Sequence, residues 1–140
     1  YQFDHKLLQR AKAEMVAAAL ANGVVPAHNV TLELKDVEFI YNAARRAHDE
    51  FGFLRQCSIY PAQIEPITRA MAPSHHEVEE AEAILLKAFD ADWGPIQHEG
   101  NLHDRATYRY YWQQLQRARI QNVALSQEVQ DRFFAGAVPA

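Results

Sequence analysis

The stretch Gly52-Phe53-Leu54-Arg55-Gln56-Cys57-Ser58-Ile59-Tyr60-Pro61-Ala62-Gln63-Ile64 constrains this chain more than any other. From Leu54 to Tyr60 there are seven residues free of breakers, ending in Ile and Tyr, which predicts a buried strand of a parallel sheet. Pro61 ends the ladder because it carries no N–H. It also suits the first turn of a helix, where that N–H would have no partner. A strand whose C-terminal end feeds a helix marks the face on which α/β folds place their chemistry.

The same alternation runs upstream. Asp4 predicts a cap for a first helix with Leu8, Ala11, Met15 and Ala18 or Ala19 on its apolar face, ending at Asn22-Gly23. From Val24 to Val30 a short strand is expected, with Pro26 weakening its first half. Asp36 caps a second helix bearing Val37, Ile40, Ala44, Ala47 and Phe51, and Gly52 stops it. A short helix from Pro61 to about Met71 follows. Helix and strand in this order predict βα units, with the two strands parallel and adjacent.

Ala72-Pro73-Ser74 marks a boundary, and Ser74 with Glu77 forms a capping-box pair ahead of Val78, Ala81, Leu85 and Ala88. Beyond it the strand signals vanish. From Asp90 to Asn101 the chain reads as a loop, and Asp104 opens a helix carrying Tyr108, Tyr111, Trp112, Leu115 and Ala118. A last short helix is expected from Ser126 to Phe134, then a frayed tail from Ala135 to Ala140.

The class is therefore α/β. A complete (β/α)8 barrel takes about 250 residues, and two strands cannot close one. Residues 1–72 read as the last βα units of such a barrel, incomplete here, and residues 73–140 as a C-terminal helical lid or oligomerisation segment. The chain opens on Tyr1 and enters a helix almost at once, as a piece of a longer reading frame would. Missing neighbours should leave apolar faces exposed and the isolated chain prone to aggregate.

A net charge of −4 argues against a nucleic-acid partner, because phosphate binding calls for a basic surface. One cysteine, Cys57, leaves no internal disulfide and suits a reducing cytoplasm. No apolar run approaches the roughly 20 residues that span a bilayer, and no secretory leader is visible.

Several side chains invite chemistry. Ser58 and Tyr60 alternate with Cys57 and Ile59, so they share a strand face with Tyr60 at its mouth. Tyr60 is then either a pocket wall that hydrogen-bonds a substrate or a core tyrosine. Asn29, beside His28, ends the other strand; it either faces the same mouth or satisfies local backbone groups. His75-His76 and His98 with His103 lack the i, i+4 spacing that puts two imidazoles on one helical face. Asp104 is either an N-cap alone or a carboxylate delivered by a lid. The aromatic stripe after it is packing surface, and its size on an appendage suggests a protein–protein contact.

At these residues the chain resembles the HpcH/HpaI aldolase and citrate lyase β-subunit family. That family's last barrel strand runs Gly-Phe, a few residues, then Ile-His-Pro-x-Gln-Ile, which is similar to Gly52-Phe53 and Ile59-Tyr60-Pro61-Ala62-Gln63-Ile64. The Ala-rich run before Gly23, Pro73-Ser74, and Gly100-Asn101-Leu102-His103-Asp104-Arg105 resemble its other landmarks. The resemblance implies a (β/α)8 barrel with a helical lid, and a lyase making or breaking carbon–carbon bonds in acyl-CoA or 2-oxo acid substrates. It implies Mg²⁺ to steady the enolate, and a homo-oligomer, trimer or hexamer, whose lid Asp reaches a neighbouring subunit's site. Asp104 matches that lid Asp; Asn29, Ser58 and Tyr60 are the substrate-binding positions. The family's metal-binding Glu and Asp lie in earlier strands, so no metal ligand is expected here. Tyr60 stands where the family has His, and Asn29 where it often has Asp. The chain alone should be inactive. The competing reading is a non-catalytic helical assembly module.

Overall fold

The structure, a computed structural model, describes residues 2–136. The chain divides into two compact units, Tyr1–Met71 and Ala72–Ala140. The first runs α1 (Lys6–Ala21), β1 (Ala27–His28), α2 (Val37–Phe51), β2 (Arg55–Gln56), a 3-10 turn (Pro61–Gln63) and α3 (Ile64–Met71). It is mixed α/β and mostly helical.

β1 and β2 pair in parallel, Ala27 opposite Arg55 and His28 opposite Gln56, as the alternation predicts. Both are far shorter than expected. Pro26 has no N–H to give, and only its carbonyl joins the pairing, accepting from Leu54 N–H at 3.2 Å. At the other end Cys57 N–H still reaches His28 O at 3.0 Å, and then residues 58–60 leave the ladder. The two-stranded sheet is not a closed barrel.

The core of this unit gathers Phe3, Val16, Ile40, Ala44, Ala47, Phe53, Ile67, Ala70 and Met71. α2 begins where predicted, with the Asp36 carboxylate accepting Phe39 N–H at 2.9 Å. It stops at Gly52, whose φ of 81° is left-handed and open to glycine at little cost. α1 departs from expectation twice. Its N-cap is His5, with no side-chain bond, and Asp4 instead pairs with Arg46 at 3.0 Å. Its buried residues are Lys12 and Val16, while Leu8 and Met15 are 45% and 49% exposed. An Ala- and Leu-rich helix has more than one apolar face, and contact with Phe3, His28 and Phe53 selected the one carrying Lys12. Val24, Leu32, Ile59 and Ile64 are also more than half exposed.

The second unit runs α4 (His75–Asp90), β3 (Ile96–His98), β4 (Asn101–His103), α5 (Arg105–Ile120) and α6 (Gln127–Phe133). The capping box at Ser74 is formed: Glu77 N–H donates to Ser74 Oγ at 3.2 Å, and Ser74 N–H to Glu77 Oε2 at 2.7 Å. The predicted loop is wrong over residues 96–101. β3 and β4 form an antiparallel hairpin, turned by Glu99 and Gly100 at φ 47° and 84°. Two consecutive left-handed residues are what a tight hairpin turn needs. Glu is an uncommon first residue there and each strand is only three residues long, so little signal existed.

The aromatic stripe of α5 finds its partners inside its own unit. Tyr108 is buried, Tyr111 meets His103 edge-on at 5.6 Å, and Trp112 stacks on Phe134 at 5.2 Å. It is core more than contact surface; Tyr110 alone of the run stays exposed. α6 lies where predicted, capped by Ser126. Residues 137–140 of the expected tail lie outside the described residues.

Candidate functional site

The loops that follow β1 and β2 are joined by one buried amide. Gln63 ends the 3-10 turn and is fully buried. Its Nε2 donates to Thr31 O at 3.0 Å and Glu33 O at 2.7 Å. Its Oε1 accepts Ile59 N–H at 3.0 Å, with Ser58 Oγ at 3.3 Å. This competition is what draws residues 58–60 out of the strand. Ser58 and Tyr60 therefore do not share a strand face, contrary to the alternation reading. Ser58 is exposed, with its hydroxyl 3.0 Å from Tyr60 O. Tyr60 lies past the end of β2 and is 49% exposed in this chain.

Asn29 is exposed just past β1, and its amide is engaged on every side. Oδ1 accepts from Lys12 Nζ at 3.0 Å; Nδ2 donates to Gln2 Oε1 and Val30 O. Lys12 itself is buried, and among the described residues its partners are neutral: Gln2, Asn29, His28 Nε2 at 2.6 Å, and the rings of Phe3 and Phe53. Burial holds its ammonium below the usual lysine range.

His28 lies beneath, 1% exposed, stacked on Phe3 and edge-on to Phe53. Burial first, and the Lys12 charge second, push it down to about 4. Gln56 and the Asn29 backbone favour the proton too weakly to offset this. Between pH 6.5 and about 4, the unfolded chain binds a proton at this ring that the folded chain refuses. The linked stability is thus fully present above pH 6.5 and is lost as pH falls, by roughly 2–3 kcal/mol. Urea midpoints should decline across that window, and His28→Leu should flatten the decline. An unchanged slope would show that His28 titrates normally in the fold.

Asp104 belongs to the second unit, as the N-cap of α5. Its carboxylate accepts Ala106 N–H at 2.9 Å, and Thr107 Oγ1 accepts Asp104 N–H at 3.1 Å. The side chain is exposed and lines a groove of about 380 Å³ between residues 92–95 and 104–106. Across this groove Asp92 and Trp93 hold left-handed φ values of 50° and 60°, a costly conformation for a bulky side chain. Trp93 N–H to Ala88 O at 2.7 Å and Tyr108 Oη to Gly94 O at 2.6 Å hold the turn. A larger groove of about 470 Å³, in the region of residues 119–134, contains none of the predicted site residues.

Among the described residues no three His, Cys, Asp or Glu side chains come together as a metal site. His98 and His103 do approach, ring centres 6.4 Å apart, without a third group. Among the described residues no helix is long and apolar enough to cross a membrane. The network residues that sequence reasoning overlooked are Lys12 and Gln63. Gln63 stood in the quoted motif without a role; Lys12 had only its place on a helix otherwise rich in Ala and Leu.

No family model matches the chain, and neither does any curated protein sequence. Solved structures do. A citrate lyase from Burkholderia xenovorans LB400 matches at TM-score 0.76 and 49% identity, over 94% of this chain and 41% of that one. CitE from Mycobacterium tuberculosis, solved with magnesium, acetoacetate and coenzyme A, matches at TM-score 0.68 and 27% identity, over 81% of this chain and 42% of that one. The fold is thus that of a citrate lyase-like α/β protein. By identity over nearly its whole length, the chain belongs to the citrate lyase β-subunit family. It spans about two fifths of the length of the solved proteins it matches.

Proposed function

We propose that this chain is the C-terminal part of a metal-dependent carbon–carbon lyase acting on an acyl-CoA or 2-oxo acid substrate. The observation that carries this is the 49% identity to a citrate lyase across 94% of the chain. The magnesium, acetoacetate and coenzyme A in the CitE structure support the substrate class and the cation. In this reading residues 1–72 complete a (β/α)8 barrel whose earlier strands, and whose Mg²⁺ ligands, lie outside this chain. The protein works in the cytoplasm as a trimer or hexamer.

Ser58 and Tyr60 then border the substrate at the strand end, with Asn29 beside them. As the carbon–carbon bond breaks, the substrate hydroxyl becomes a carbonyl and gives up its proton to a base, while the bond's electron pair passes to the carbon next to the other carbonyl, which takes up a proton. The Asp104 carboxylate, exposed at the head of α5, is the group we assign to taking that hydroxyl proton and returning it to the carbon, within its own subunit or across to a neighbour's. Its present hydrogen bond to Ala106 N–H is one that a cap can release when a lid shuts.

The direct test uses the full-length protein with β-hydroxyacyl-CoA thioesters and with 4-hydroxy-2-oxo acids. Mass spectrometry should find the two cleavage products from one class, abolished by EDTA and restored by Mg²⁺. Intact substrates in both classes, or cleavage indifferent to EDTA, would end this proposal.

A further inference from the structure

We propose that Gln63 is a positioning residue of the strand-end site: its buried amide sets the loop after β1 against the turn after β2. The inference rests on the lyase reading for what is positioned, and on the hydrogen bonds for how. The β1–β2 ladder pairs only two residues with two, so it cannot by itself fix the chain beyond His28 and Gln56. Within this chain apolar packing does not fix the tips either, since Leu32 is 82% exposed and Ile59 57%.

Every hydrogen bond found between residues 30–36 and 57–63 passes through Gln63. Its two N–H groups hold two carbonyls of the first loop, and its oxygen holds the Ile59 N–H of the turn. The hold continues along the first loop. The Glu33 carboxylate accepts Lys35 N–H and Asp36 N–H, at 2.8 and 3.0 Å, leading into the cap of α2. Those backbone donors keep the Glu33 carboxyl below the usual range. An amide is the side chain that can offer two donors and an acceptor at once; a carboxylate loses both donors, and a thioether loses all three groups.

The test compares Gln63→Glu and Gln63→Met in the full-length protein with a core variant, Ile40→Val, that loosens the same unit elsewhere. Hydrogen exchange at Ile59 N–H and over residues 31–36 should speed up by about tenfold or more in both Gln63 variants. At a temperature where circular dichroism shows all variants folded, kcat should fall by about 10- to 100-fold in the Gln63 variants. Ile40→Val should lower the melting temperature and leave kcat within about twofold. Should Gln63→Met not fold, Gln63→Asn, which draws the amide back by one methylene, carries the same expectation. Unchanged exchange in the two loops, or a kcat loss no greater than that of Ile40→Val, overturns the proposal. If the wild-type protein cleaves neither substrate class, the lyase reading falls on that result, and unchanged exchange still overturns the loop-locking role.

Discussion

If the full-length protein is the lyase proposed above, Asp104→Asn is expected to cut its turnover by about 10²–10⁴-fold while leaving its melting temperature almost unchanged. The reasoning separates two properties of one carboxylate. As a cap, it accepts Ala106 N–H, and the reciprocal bond from Asp104 N–H to Thr107 Oγ1 involves no carboxylate at all. Asn offers the same acceptor oxygen in nearly the same shape and is an equally good N-cap, so α5 keeps its first turn. What Asn cannot do is accept and return a proton near neutral pH. Asp104→Ala should lose the activity and, in addition, about 1 kcal/mol of stability. Measuring kcat and melting temperature for both variants resolves the roles. Wild-type turnover in Asp104→Asn would reduce this residue to a cap.

Phe53→Ala is the substitution expected to destabilise the first unit most, by about 3–5 kcal/mol. Phe53 is fully buried, meets His28 edge-on at 4.8 Å, and lies 5.9 Å beneath the Lys12 ammonium. Truncation leaves a cavity beside two buried nitrogen groups that have few alternatives. Since domains typically have only about 5–15 kcal/mol in all, a loss of this size should bring unfolding close to assay conditions. Urea titration followed by circular dichroism gives the figure. A loss below about 2 kcal/mol would mean that the neighbouring side chains close the gap, and that the Lys12–His28 pair does not depend on this ring.

The residues that were read correctly share one physical property. Asp36, Ser74 and Ser126 cap helices through bonds that close within three residues, and Gly52 stops one through its own φ. Such signals need nothing distant, which is why most helix limits were legible. The parallel pairing followed from the order of elements, and the family from the strand–proline–glutamine motif and the segment around Asp104.

Some of the misreadings have the opposite property, and others are local contacts too short to leave a signal. Lys12 is buried because His28 and Phe53, remote in sequence, come to meet it, so no periodicity of α1 could select its face. Asp4 is taken from its expected cap by Arg46, and residues 58–60 are taken from their strand by Gln63. The hairpin at Glu99-Gly100 offered three-residue strands and an unusual turn residue. Sequence by itself determined where this chain makes most of its helices, that β1 and β2 run parallel, and which family it belongs to, because caps, breakers and motifs act over a few covalent bonds. Only the tertiary structure decided which face of α1 is covered and that one amide ties two loops, because these depend on partners 16, 30 and 32 residues away.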